Sequence, residues 1–148
     1  MRRDHFTVVA RELDSDADAP RLTVEYTGPT ETLTTQLTDD GGELYPSEVI
    51  DAAFRLQDPL DGEDVAGVFS ATHRMTGEYL LEVNVEAETI LEVVRAARDS
   101  DDGDTSYHVR IHRRNDDPVT YEMDSLLFYD SDGDLVRQRS LIPSGVEL

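Results

Sequence analysis

The chain has 148 residues, of which 33 are Asp or Glu and 13 are Lys or Arg, giving a formal net charge of -20 at pH 7. This length predicts a single domain, 1–148, with enough chain to bury a hydrophobic core. Because the sequence contains no Cys, it excludes a disulfide framework and a thiolate zinc site.

The basic residues are unusual in kind as well as in number. All 13 are Arg and none is Lys, while Asp outnumbers Glu by 20 to 13. This pattern is typical of a cytoplasm at near-molar salt, where the Debye length is about 3 Å and carboxylates repel one another only weakly. The composition therefore predicts a halophilic cytoplasmic protein, and a mesophilic acidic interaction protein is the alternative.

The sequence also bears on secretion and on membrane insertion. The start, MRRDHFTVV, lacks the apolar region of a signal peptide. No apolar run approaches the ~20 residues that a membrane helix needs. We therefore expect a cytoplasmic protein that makes no membrane contact.

The first half of the chain reads mainly as strands. Alternating apolar residues predict strands over 5–12 and 21–26. Within 28–42, Thr30 would cap a short helix that carries Leu33 and Leu37 on one face, although the many Thr residues of this segment weaken the helix. The segment 49–57 fits a strand or a helix, and the strand is favoured because it would extend the hairpin that follows.

That hairpin is predicted over 65–74 and 78–86, with its turn at Thr76 and Gly77. The segment 87–100 is the main helix. Its apolar stripe consists of Ile90, Leu91, Val94 and Ala97. Acidic residues near its start and Arg residues near its end complement the helix dipole.

The second half again reads as strands, over 106–114, 119–123, 125–130 and 135–142. In DSDGD (130–134), Gly133 is the fourth residue, whereas an EF-hand loop needs Gly at its sixth position. This segment therefore predicts a hairpin turn rather than a calcium site. The resulting fold class is α+β, a mostly antiparallel sheet of hairpins and a meander, packed by one main helix near residues 87–99.

The segment SYHVRIHRR (106–114) gathers positive charge within this acidic chain. Alternation on a strand gives it two faces: Tyr107, Val109 and Ile111 on the apolar one, and His108, Arg110, His112 and Arg114 on the polar one. The two His would stand ~13 Å apart, too far for one metal ion to join them. We expect no metal site here.

Two interpretations of these Arg residues remain open. They would pair with acidic side chains on adjacent strands, with Glu78, Glu82 or Glu122 as candidates, or they would bind a phosphate or an acidic partner. Nucleic acid is the less favoured ligand, because the chain is acidic, phosphate binding weakens in high salt and no aromatic residue alternates on the polar face.

The C-terminal segment QRSLIPSGVEL is more apolar than most chain ends. It would dock either on its own domain or on a partner. The candidate partner-binding residues of the whole chain are therefore Arg110, Arg113, Arg114, Ile142, Val146 and Leu148.

Known catalytic signatures are absent from the sequence. It contains no G-x-S-x-G, H-E-x-x-H, P-loop or dinucleotide-binding pattern. We expect no catalytic residues and no cofactor, and hence a non-enzyme. The favoured function is a protein-interaction or adaptor module with a protein partner or a second copy of the chain, and a nucleic-acid-associated regulator is the alternative.

Several segments of the chain can be matched to a known group of sequences. They are DAAFRLQDPLD from residue 51, GVFSATHRMTGEYLLEVN from 67, LEVVRAAR from 91 and RQRSLIPSGVEL from 137, together with the start MRRDHFTV. Together they resemble a haloarchaeal family of small acidic proteins of unknown function, and the resemblance is weakest over 14–48. It implies a high-salt setting and assigns no activity, cofactor or site residue.

Overall fold

The computed structural model describes residues 6–11, 20–57, 65–98, 107–113 and 117–141. Within these ranges there are eight strands and two α-helices. The strands are β1 (Phe6–Arg11), β2 (Arg21–Tyr26), β3 (Ile50–Leu56), β4 (Ala66–His73), β5 (Tyr79–Glu86), β6 (Tyr107–His112), β7 (Val119–Met123) and β8 (Leu127–Tyr129). The helices are α1 (Thr30–Leu37) and α2 (Ala87–Arg98).

The strands form two four-stranded sheets. Sheet 1 has the order β1-β2-β6-β7, and sheet 2 has the order β5-β4-β3-β8. Four pairings are antiparallel, whereas β2–β6 and β3–β8 are parallel. The α+β class is thus confirmed, and most pairings are antiparallel. The strands form two sheets rather than a single one, because the chain leaves sheet 1 after β2 and returns to it only at β6.

The hydrophobic core lies between the two sheets. A small apolar cavity of about 10 Å³ is lined by Ile50 and Phe69 from sheet 2 and by Val109 and Tyr121 from sheet 1. It has room for about one water molecule, but its apolar lining gives water no partner. The inner faces therefore pack closely, and this cavity is not a ligand site.

The two helices close the core at its margins. Leu33 and Leu37 of α1 are buried, as predicted, but the residue before the first turn is Pro29, and no side chain caps it. Helix α2 packs against β1, β2 and β5. The predicted stripe of α2 is confirmed: Ile90, Val94 and Ala97 are buried and Leu91 is half-buried. None of the described helices has the length and apolar character that crossing a membrane requires.

The ambiguous segment 49–57 forms a strand. Ile50, Ala52, Phe54 and Leu56 of β3 are all buried, while the residues between them are more exposed. This period of two is what a strand with one core-facing side requires. The strand pairs with β4 and completes the predicted meander β3-β4-β5.

The β4–β5 hairpin turns where the sequence predicts. The backbone N–H of Gly77 donates to the carbonyl of His73 at 2.8 Å, and Gly77 has a φ of 74°. The Nδ1 atom of His73 accepts hydrogen bonds from the backbone N–H groups of Met75 (3.2 Å) and Thr76 (3.3 Å). An imidazole side chain therefore helps to hold the turn.

The prediction of a strand over 135–142 is wrong. Only isolated bridges join Leu135 to Tyr129 and Leu141 to Leu126, and a short 3-10 helix, Arg137–Arg139, lies between them. The cause is Ser140: its Oγ accepts the Phe128 N–H at 2.9 Å and donates to the Val136 carbonyl at 2.8 Å. This side chain takes the place of a ladder hydrogen bond at Phe128. The Val136 N–H also donates to the Phe128 carbonyl, so polar groups on this edge of β8 are satisfied, which limits edge-to-edge pairing.

Candidate functional site

Arg110 lies on the outer face of sheet 1, as the alternation in β6 predicts. Tyr107, Val109 and Ile111 are buried, and Arg110 points to the opposite side. Its register partners are Thr23 on β2 and Thr120 on β7. Arg110 is half-buried, and its Nε atom is shielded from solvent with no hydrogen-bond partner in the described part of the chain.

Arg113 lies apart from Arg110 and makes different contacts. It follows the end of β6, where its guanidinium donates to Thr34 Oγ1 at 3.0 Å and to the Asp117 carbonyl at 2.7 Å. These bonds tie α1 to the segment that precedes β7. The structure therefore does not bring Arg110 and Arg113 together as one basic surface.

The acidic residues suggested as partners of Arg110 are not directly beside it. Glu122 is opposite His108, with 3.9 Å between its Oε1 and the imidazole Nε2. Glu82 belongs to β5, and Glu78 precedes it, both in sheet 2. Among the described residues no carboxylate pairs with Arg110. The predicted contact between this segment and Glu122 is therefore made by His108 and not by Arg110.

The remaining predicted site residues fall outside what the structure describes. Arg114 follows the described end of this segment, and Ile142, Val146 and Leu148 follow Leu141. The described residues include no cluster of three or more metal-ligating side chains.

A different surface emerges at the tip of the β4–β5 hairpin. In the described part of the chain, three large hydrophobic side chains are exposed: Met75 at 81%, Tyr79 at 59% and Leu44 at 45%. Met75 lies in the turn, and Tyr79 begins β5. Leu44 precedes Tyr45, whose ring meets that of His73 edge-on at 4.9 Å. We call Leu44, Met75 and Tyr79 the hairpin-tip patch.

The sequence alone gave weak signals for this patch. Met75 and Thr76 stand in a turn, where polar residues are usual, so the exposed Met was the one available cue. Leu44 and Tyr79 could equally have been core residues. The contact between Tyr45 and His73 brings Leu44 and its neighbours toward the hairpin, and this contact has no local sequence signature.

Two open surface clefts are found among the described residues. The larger, of about 370 Å³, is lined by Ser47, Glu48, Arg74, Glu122 and Asp124 with two apolar residues. Here Arg74 already pairs with Asp51, at 2.9 Å between Nε and Oδ1. The smaller, of about 290 Å³, includes Arg55, Gln57 and Ser131. Both are wide open, so neither encloses a small molecule.

The turn between β8 and Leu135 is held by its own carboxylate. Asp130 Oδ1 accepts the backbone N–H groups of Asp132 at 3.0 Å and Asp134 at 2.9 Å. Gly133 has a φ of 87°. The predicted hairpin turn is confirmed, and Asp130 serves it by accepting backbone hydrogen bonds.

Comparison with known proteins places the chain by sequence family alone. No curated protein matches it, and no solved structure does. One family model matches residues 1–148, including the segment 14–48 where the resemblance was weakest. The chain therefore belongs to the family of unknown function DUF5793.

Proposed function

We propose that the protein is a non-enzymatic interaction module that binds a protein partner, or a second copy of itself, through the hairpin-tip patch. The observation that carries the proposal is the exposure of Met75 and Tyr79 on the β4–β5 hairpin and of Leu44, whose neighbour Tyr45 contacts His73 at the end of β4. Tyr and Met are enriched in protein interfaces, and an exposed apolar group on an otherwise charged surface is typical of a docking site.

The salt conditions inferred from composition favour apolar contacts for binding. At near-molar salt the Debye length is about 3 Å, so charge attraction between surfaces is strongly screened. Burial of apolar area does not depend on charge. In such a cytoplasm a patch of Met, Tyr and Leu supplies binding energy that an acidic surface cannot.

The cellular setting is part of the same proposal. The absence of Lys and the excess of Asp support a halophilic, cytoplasmic protein. Membership of the DUF5793 family assigns neither an organism nor a compartment. Growth of a producing host at high salt, followed by fractionation of its cytoplasm and membranes, tests both.

The residues predicted from sequence as partner contacts remain a further part of this proposal. Arg110 lies on the outer face of sheet 1, whereas Arg113 contacts Thr34 of α1, so they would serve different contacts. Removal of 143–148 tests Val146 and Leu148, and substitution tests Arg114 and Ile142. Loss of binding without loss of stability would assign these segments to the interface.

The alternative, a regulator that contacts nucleic acid, has less support. The described outer face of β2, β6 and β7 carries no Tyr, Phe or Trp on which a base would stack. Its Arg110 is accompanied by Glu25 and Glu122 on neighbouring strands. Nucleic acid that co-purifies in molar KCl and disappears after Arg110→Ala would support this alternative over the main proposal.

The main experiment compares two variants in affinity purification from the native host in molar KCl. We expect a partner recovered with the wild-type chain to be lost with the double variant Met75→Ser and Tyr79→Ser. The control is Tyr129→Ser, which makes the same chemical change on β8, away from the hairpin, and should retain the partner. Retention by the double variant, with both proteins folded, contradicts the proposal.

A further inference from the structure

The outer face of sheet 1 surrounds Arg110 with hydrogen-bond donors. Thr23 and Thr120 lie directly beside it on the two neighbouring strands, about 5 Å away at the backbone. His108 and His112 flank it on its own strand, each about 7 Å away. Hydroxyl, imidazole and guanidinium groups can all donate hydrogen bonds, so this face is rich in donors.

The carboxylates of this face lie on the neighbouring strands, opposite the two His residues rather than opposite Arg110. Glu25 is the register partner of His112, and Glu122 is the register partner of His108. Neither is directly beside Arg110. In a chain with a net charge of -20, no carboxylate among the described residues serves as a counter-ion to this guanidinium.

The guanidinium is also held against the sheet. Its Nε atom is shielded from solvent, and Thr23 beside it is only 6% exposed. Arg110 as a whole is half-buried, whereas His112 and Thr120 are exposed. A side chain that is already packed loses less conformational freedom when it binds a ligand, and the face is open to solvent at His112 and Thr120.

We propose that Arg110 is the centre of an oxyanion-binding site that takes a phosphate group, with His108 and His112 on either side as additional donors. Arg binds phosphate oxygens through charge-assisted, often bidentate, hydrogen bonds. Three donor residues along one strand suit a group with several terminal oxygens better than the two oxygens of a carboxylate. This site is independent of the hairpin-tip patch, so either proposal can fail alone.

The site is tested by NMR on the full-length labelled protein at constant KCl. Inorganic phosphate is one titrant and a nucleoside diphosphate, ADP, is the other, while Arg Nε–Hε and His ring signals are followed. We expect saturable shifts at Arg110, His108 and His112. The matched control is Arg55, an exposed Arg on β3 for which no partner is found among the described residues and which should show no saturable shift.

Two variants give the test its second readout. Arg110→Gln should weaken phosphate binding about tenfold or more, as expected for loss of a charge-assisted hydrogen bond, while Arg55→Gln should leave it unchanged. Tighter binding of ADP than of phosphate would identify a nucleotide as the source of the group, and equal binding would identify free phosphate. Shifts that do not saturate, or that are equal at Arg55, overturn the proposal.

Discussion

Two tyrosines of sheet 1 allow the same chemical change to be tested in opposite surroundings. Tyr107 is fully buried, and its hydroxyl donates to the Ser125 carbonyl at 2.8 Å. Tyr121 is 5% exposed, and its hydroxyl is buried with no partner in the described part of the chain. Replacing each by Phe removes one hydroxyl and changes little else.

The expected effects differ in sign. Tyr107→Phe loses a hydrogen bond and leaves the Ser125 carbonyl without its donor, which should lower the free energy of unfolding by about 1–2 kcal/mol. Tyr121→Phe removes a polar group that has already lost its hydration, so it should be neutral or stabilise by up to about 1 kcal/mol. The two variants should therefore differ by roughly 2 kcal/mol.

The assay is urea unfolding of both variants and the wild type at one KCl concentration, with the slope of each transition compared before the midpoints are converted. Equal destabilisation by both variants would refute the reasoning. It would mean that the Tyr121 hydroxyl has a hydrogen-bond partner, such as an ordered water, and that losing this bond costs as much as losing the Tyr107 bond.

The same tyrosines predict how stability changes at alkaline pH. Burial, opposed in part by the nearby Arg113, raises the pKa of Tyr121 from 10.0 to about 12. Burial, together with the charge of Asp124, also raises the pKa of Tyr107. Above pH 10 the unfolded chain releases these protons first, so the free energy of unfolding should fall as pH rises. Tyr121→Phe should reduce the fall between pH 10 and 12, and an unchanged slope would contradict this assignment.

Two further substitutions test the packing of sheet 2. A Cβ added at Gly67 would lie 2.5 Å from Phe54 Cζ and would also meet the backbone. Gly67→Ala should therefore lower the free energy of unfolding by about 1–3 kcal/mol or more. A melting curve identical to that of the wild type would contradict this close approach. Ser140→Ala should cost about 2 kcal/mol, because it leaves the buried Phe128 N–H unpaired. Ser125→Ala is its control, since only the backbone of Ser125 is engaged in a described bond, and equal losses would refute the role of Ser140.

Local patterns predicted most single elements because each depends on its own residues. The period of two in Ile50, Ala52, Phe54 and Leu56 requires a half-buried strand whichever sheet receives it. For the same reason this pattern cannot reveal the sheet. The pairing of β2 with β6 joins residues about 87 positions apart, such as Arg21 and His108, and no local signal specifies it.

The errors have equally specific causes. The segment 135–142 has the hydrophobicity of a strand, at Leu135, Val136 and Leu141. However, the Ser140 side chain forms hydrogen bonds with the backbone of Phe128 and Val136, in place of a continuous backbone ladder. Side chain–backbone bonds of this kind compete with regular structure, and they depend on where a neighbouring strand lies.

The site was only partly accessible from sequence. Alternation placed Arg110 on the polar face of its strand, but its Thr neighbours follow from the register with β2 and β7. The hairpin-tip patch required knowledge of which apolar residues the core leaves exposed. Hydrophobicity identifies candidates for burial, and only the assembled fold separates Met75 from the core.

The most direct test of the interaction proposal places a photoreactive residue in the patch. Met75→p-benzoylphenylalanine is compared in cells with Asp132→p-benzoylphenylalanine, which puts the same group on an exposed turn of sheet 2 outside the patch. We predict one defined crosslinked protein, either a partner or a second copy of this chain, from position 75 and none from position 132. The same products from both positions, or none from position 75, would contradict docking at the hairpin tip.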